Sequence, residues 1–126
     1  MKRFWIGLGL LLSILAVGLW TTGEMGRIHT AISESLIQSA QAAQDGQWSE
    51  ADEFAAKAVE KWKDSWHFSA ALTDHTVLDE IDGLFAETEV YRKNRNAVAY
   101  AASCARLAEQ IHAVQEGHEL SWWNLL

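Results

Sequence analysis

The sequence predicts an all-α protein: one N-terminal transmembrane helix, then an antiparallel helical bundle of two hairpins, about four helices with tetratricopeptide-like packing. Three observations carry this expectation. From Phe4 to Trp20 the chain is apolar, with Ser13 as its one polar side chain. Beyond Glu24, apolar and small residues recur at three- and four-residue steps almost to the end, which is the period of a helix with one buried face. There is no proline in 126 residues, so nothing interrupts helices by ring geometry.

The apolar run is at the short end of what spans a bilayer, about 17–25 residues, and Thr21 and Thr22 extend it to an expected lipid contact over residues 4–22. Trp5 and Trp20 stand near its two ends, where indole rings favour headgroup depth. Lys2 and Arg3 are the only charges before Glu24. The positive-inside bias then keeps the N-terminus cytoplasmic and places the rest outside, giving a single-pass cell-membrane protein. The competing reading is a cleaved signal and a secreted helical protein. Ala16 and Gly18 have the small-residue spacing of a cleavage site, but Leu19 and Trp20 continue the apolar run past it. Gly9 and Ser13 form a small-x-x-x-small pair of the kind that packs membrane helices.

Residues 1–23 are thus read as a cytoplasmic stub and signal-anchor helix, residues 24–120 as an extracytoplasmic bundle, and residues 121–126 as an apolar contact motif. From Glu24 onward, eight Lys and Arg face seventeen Asp and Glu, a net charge of −9. Such acidity argues against nucleic acid, which needs basic patches, and against adhesion to anionic headgroups. The single Cys104 excludes an internal disulfide and reads as a small buried hydrophobe among Ala and Ser neighbours.

The first stretch of the bundle runs from Glu24 to Gln44, with Met25, Ile28, Ile32, Leu36, Ser39 and Ala43 on one face. It is expected to follow the membrane helix closely, with Gly23 and Gly26 weakening the junction. Asp45-Gly46 supplies a turn. The second helix is expected to start near Ser49, an N-cap residue with Asp52 three positions on. Its stripe is Trp48, Ala51, Ala55, Ala58, Trp62 and Ser65 or Trp66, fading near Ala71. Thr73-Asp74 opens the third helix, which carries Leu78, Ile81, Phe85 and Thr88. Lys93-Asn94-Arg95-Asn96 is a polar break. The fourth helix carries Val98, Ala101, Ala105, Ala108 and Ile111 and is expected to stop near Gly117.

A weak internal repeat connects the two hairpins. Gly46, Trp48, Ala51, Ala55 and Ala58 have the spacing of Asn96, Val98, Ala101, Ala105 and Ala108. Gly and Asn both tolerate positive φ, so each set is expected to open with a tight turn. The alanines then sit where helices approach closely, as in the second helix of a tetratricopeptide-type hairpin, although the full repeat signature is absent.

No motif for chemistry emerges. Of the five histidines, His75 stands one turn from Asp79 and near Asp82, which is half a metal site at best. Glu87 and Glu89 point to different helix faces and make no acid–base pair. The expected protein is non-enzymatic, without a cofactor, metal site or identified small-molecule substrate. Tryptophans are more informative. Trp62 and Trp66 are four apart and placed to stack. The chain closes on Ser121, Trp122, Trp123, Asn124, Leu125 and Leu126, and an apolar end on a polar domain usually marks a contact. Three occupants are open to it: a groove of the bundle, a partner protein, or the membrane interface.

The Lys-Arg start, the single anchor, the Gly46–Ala51 turn, the Trp62 helix and the closing Trp-Asn-Leu-Leu resemble a family of small Firmicute membrane-anchored proteins, catalogued as a domain of unknown function (forty-three sixty-three). The resemblance implies a helical extracytoplasmic domain on one transmembrane helix with an apolar C-terminal motif. Relatives are often encoded near small integral membrane proteins, which implies a membrane or envelope partner. The leading expectation is an accessory or scaffold for another envelope protein. The alternative is a ligand- or metal-sensing module using the acidic, histidine-bearing surface.

Overall fold

A computed structural model describes residues 1–125, and of Thr22, Leu72 and residues 118–125 the backbone alone. The described chain is helical from end to end: α1 Lys2–Gln44, α2 Trp48–Leu72, α3 His75–Lys93 and α4 Ala97–Leu125. The helices alternate in direction. α1 lies between α2 and α4 and packs extensively on both, α3 lies on α4, and α2 touches α3 only sparingly.

The apolar run and the first bundle stretch form one helix of 43 residues, about 64 Å long at 1.5 Å per residue. Gly23 and Gly26 do not break it. Glycine in a helix interior costs about 1 kcal/mol, which packing along both sides of α1 outweighs. Burial divides this helix sharply. Its N-terminal segment is long and apolar enough to cross a membrane, and none of that segment is buried. From Met25 onward its inner face is covered, with Ile32, Leu36, Ser39 and Ala43 almost inaccessible. Within the exposed run, Ser13 Oγ donates to the Gly9 carbonyl at 2.8 Å, so the hydroxyl is satisfied within its own helix. The Gly9–Ser13 pair is therefore internally bonded.

The two hairpin turns are alike. In the first, Gly46 takes φ 77°, and Gln47 N–H donates back to the Ala42 carbonyl at 2.8 Å. In the second, Arg95 takes φ 54°, and Asn96 N–H donates to the Tyr91 carbonyl at 3.1 Å. Both are αL-type endings in which a backbone N–H reaches five residues back. The equivalent residues are thus Gly46 and Arg95, not Gly46 and Asn96, and the repeat offset is one residue shorter than the alanine spacing suggests.

That single residue corrects the expected face of α4. One position turns a helix by about 100°. Val98 is 81% exposed and Ala105 is exposed, while Tyr100, Cys104, Leu107 and Ile111 are buried to 1% or less. Ala108 and Ile111 lie inside, as expected. The expected faces of α1 and α2 match the buried ones: Ala51, Ala55, Ala58, Trp62 and Ser65 all lie inside. On α3, Leu84 joins Leu78, Ile81 and Thr88 in the core, and Phe85 packs against its edge. α4 continues past Gly117 to Leu125, since one glycine without a turn partner does not end a helix.

Buried hydroxyls tie the helices together. Ser39 Oγ donates to the Ala51 carbonyl at 2.6 Å and lies 2.5 Å from the Tyr100 hydroxyl. Ser39 spends its one proton on Ala51, so Tyr100 donates to Ser39. This joins α1, α2 and α4 at one dry point. Thr88 Oγ1 likewise donates to the Leu84 carbonyl, so Ser103 Oγ donates to Thr88 at 2.6 Å and joins α4 to α3.

Candidate functional site

Sparse contact between α2 and α3 leaves a groove of about 640 Å³ between them. Ala55, Ala56, Val59, Phe85 and Ala86 give it an apolar floor, with Glu60 and Lys63 on its rim. The small side chains follow from the α2 sequence, whose alanines fall at helical steps and leave room beside the backbone. Of these, Ala56 and Ala86 are exposed.

One end of the groove carries a polar clamp, lined by Asp52, Glu89 and Arg92. There Asp52 receives Arg95 through two bonds of 2.9 and 3.1 Å and also receives Arg92. Arg92 bonds Glu89 as well, through Nε and Nη2, while Nη1 serves Asp52. The Arg95 guanidinium lies 5.0 Å from the Trp48 ring centre, a cation–π distance. The bond from Arg95, followed by Arg92, holds the Asp52 carboxyl below the usual carboxylate range. Arg92 does the same for Glu89, and Arg92 is raised in turn, chiefly by its bond to Glu89. Asp52 is therefore not the capping partner of Ser49. The N-cap of α2 is Gln47, two residues before Ser49 and without a side-chain cap bond, and the Asp52 carboxylate is engaged about forty residues away in sequence. α3 opens at Thr73-Asp74 as expected, and Asp74 caps it, accepting from Thr76 N–H at 2.9 Å.

A second link between α2 and α3 lies beside Phe85, where Trp62 and Trp66 both donate their indole N–H to one carboxylate. Trp62 reaches Asp82 Oδ1 at 2.6 Å and Trp66 reaches Oδ2 at 3.2 Å. Trp62 is 3% exposed and stacks on Phe85 with ring centres 5.8 Å apart. The two tryptophans share an acceptor, and the stacking partner of Trp62 is Phe85. Trp66 also lies 6.4 Å from the His75 ring. Asp82, suggested above as half a metal site with His75 and Asp79, has both oxygens committed to indoles. Among the described residues, no three His, Cys, Asp or Glu side chains gather to hold an ion.

Cys104 is fully buried, and burial pushes its thiol up to about 11, which keeps it protonated and unreactive. Trp122, Trp123, Asn124, Leu125 and Leu126, expected as a contact motif, lie outside the residues whose side chains are described. The indole–carboxylate clamp and the arginine network were not read from the sequence. Trp62 and Trp66 were conspicuous, but nothing local pairs them with Asp82.

No curated protein and no solved structure matches the chain. A family model described as Domain of unknown function (DUF4363) matches residues 19–125, that is, the whole bundle from the end of the apolar run, and the chain belongs to that family.

Proposed function

We propose that this chain is a non-enzymatic, single-pass membrane protein whose bundle stands outside the cytoplasm as an accessory or scaffold for another envelope protein. The observation that carries the reading is the unbroken α1. The same helix is the exposed apolar segment and the central helix of the bundle, so the bundle is fixed rigidly to whatever holds that segment. Lys2 and Arg3 favour the orientation with the N-terminus inside. The α2–α3 groove suits a helix laid lengthwise, with its apolar floor and charged rim.

The test is affinity capture of the tagged full-length chain from its own membranes, beside the Ala56→Arg variant. Ala56 is exposed on the groove, so the variant keeps its melting temperature. The expected result is a membrane protein retained by the natural chain and lost with the variant. Capture of nothing by the natural chain refutes the scaffold role. Calorimetric titration with divalent metals tests the sensing alternative, which micromolar binding would favour.

A further inference from the structure

The height of the α4 C-terminal end is set by its packing on α1. Ser33 Oγ donates to the Ala108 carbonyl at 3.5 Å. Gln115 approaches Gly26, where a Cβ would stand 3.2 Å from the Gln115 side-chain nitrogen. Gln115 also lines a groove with Leu19 and Gly23. These contacts define one antiparallel register, and α4 continues as helix to Leu125. In that register Trp122 stands level with Leu19, Trp123 with Gly18, and Leu125 with Ala16.

The two helices therefore lose their charges at the same height. On α1 the first charge after the apolar run is Glu24, and on α4 the final charged side chain is Glu119, level with Thr22. Below that height α1 presents Trp20, 72% exposed, and α4 has reached its own tryptophan pair. α2 ends nearby, with Phe68 lining a groove beside Trp20 and 45% exposed. Aromatic residues from neighbouring helices at one level, under a charged layer, have the composition of a membrane-interface belt.

We infer that the last turns of α4, residues 120–125, enter the headgroup layer beside α1, so that the bundle meets the bilayer at a second point. This rests on the membrane-anchored reading above. Leu125 would lie about 6 Å deeper than Trp20, from four residues of helix rise, within the 5–10 Å that interfacial helices penetrate. Of the three occupants open to the C-terminal motif, the register selects lipid.

The test is spin labelling of the full-length chain in phosphatidylcholine vesicles, in a Cys104→Ala background. Nitroxides are placed at Leu10→Cys in the apolar run, at Ser121→Cys and Leu125→Cys on α4, and at Val98→Cys on the far end as an aqueous control. Circular dichroism checks that each variant is folded, and the mild Ser121→Cys change gives a second reading of the α4 end. The expected result is that labels at 10 and 125 are more accessible to oxygen than to a water-soluble nickel chelate, with 121 shallower than 125 and 98 showing the reverse preference. A lipid-exposed label at 10 with an aqueous label at 125 overturns the inference and leaves the anchor standing. A lipid-exposed label at 10 with 125 shielded from both reagents also overturns it, since protein then covers the α4 end. An aqueous label at 10 overturns the anchor itself.

Discussion

The hydroxyl relay at the crossing of α1, α2 and α4 makes a directional prediction. Ser39 and Tyr100 are 0% and 1% exposed, so neither recovers a water partner when the other is removed. Tyr100 donates and Ser39 accepts, because the Ser39 proton is used on Ala51. Ser39→Ala leaves a buried phenol proton without its acceptor, a penalty of about 1–3 kcal/mol. Cys104, which lies beside the same hydroxyl, is a weak acceptor and recovers little. Tyr100→Phe removes the donor and leaves Ser39 its bond to Ala51, so the loss is that of one ordinary bond, about 0.5–1.5 kcal/mol. The double variant costs less than the two singles together, because with both hydroxyls gone no unmet donor remains. With a urea slope of about 2 kcal/mol/M, Ser39→Ala shifts the midpoint by roughly 1 M and Tyr100→Phe by about half that. The assay is urea unfolding of the full-length chain in detergent micelles, followed by far-ultraviolet circular dichroism. If Tyr100→Phe is the more costly single change, the donor direction is wrong. If the two losses simply add, the hydroxyls do not bond.

Trp62→Ala should lower stability by about 3–5 kcal/mol, the usual loss for a core aromatic, whereas Trp62→Phe keeps a ring on Phe85 but gives up the bond to the Asp82 carboxylate and should cost about 1.5–3 kcal/mol; a loss below about 1 kcal/mol for Trp62→Ala would place this side chain outside the core. Gly46→Ala has open space around its Cβ but φ 77°, so it should cost about 1–2 kcal/mol from backbone strain alone, and a neutral result in denaturant melts would show that the turn relaxes. Asp52 and Glu89 have native pKa values depressed by Arg92 and Arg95. Their contribution is whole above the unfolded carboxylate range, near pH 4–4.5, and is lost as pH falls through the native values. Thermal melts across acidic pH should show this loss, and Arg92→Ala should flatten it; an equally steep decline in the variant would assign the acid sensitivity elsewhere.

How far the sequence could be read depended on whether the deciding contact was local. The faces of α1 and α2 were legible because Ile28, Ile32 and Leu36, and then Ala51, Ala58 and Trp62, leave one choice of inner stripe. On α4 two stripes compete one residue apart, Val98-Ala101-Ala105 and Tyr100-Cys104-Leu107, and alanine fits either a packed or a solvated face. The choice is made in the turn, where Arg95 adopts the left-handed conformation that Asn96 was expected to take. Leaving L-residue sterics there costs about 1–2 kcal/mol, and the Arg95 side chain offsets it through Asp52 and Trp48. That offset is a contact across forty residues, invisible to periodicity. The Asp82 clamp was hidden for the same reason: both indoles are obvious, but their acceptor comes from another helix.

An α1 without a joint has a torsional consequence. The azimuth of the groove around the α1 axis is locked to the azimuth of the apolar segment. One residue inserted between Trp20 and Glu24 raises the bundle by only about 1.5 Å but swings the groove by about 100°. Seven inserted residues lift it by about 10 Å and return it to within about 20° of its starting direction. On the anchored reading proposed above, a partner held in the same membrane would be lost on the first insertion and regained on the second. A partner that approaches from solution would be indifferent to both.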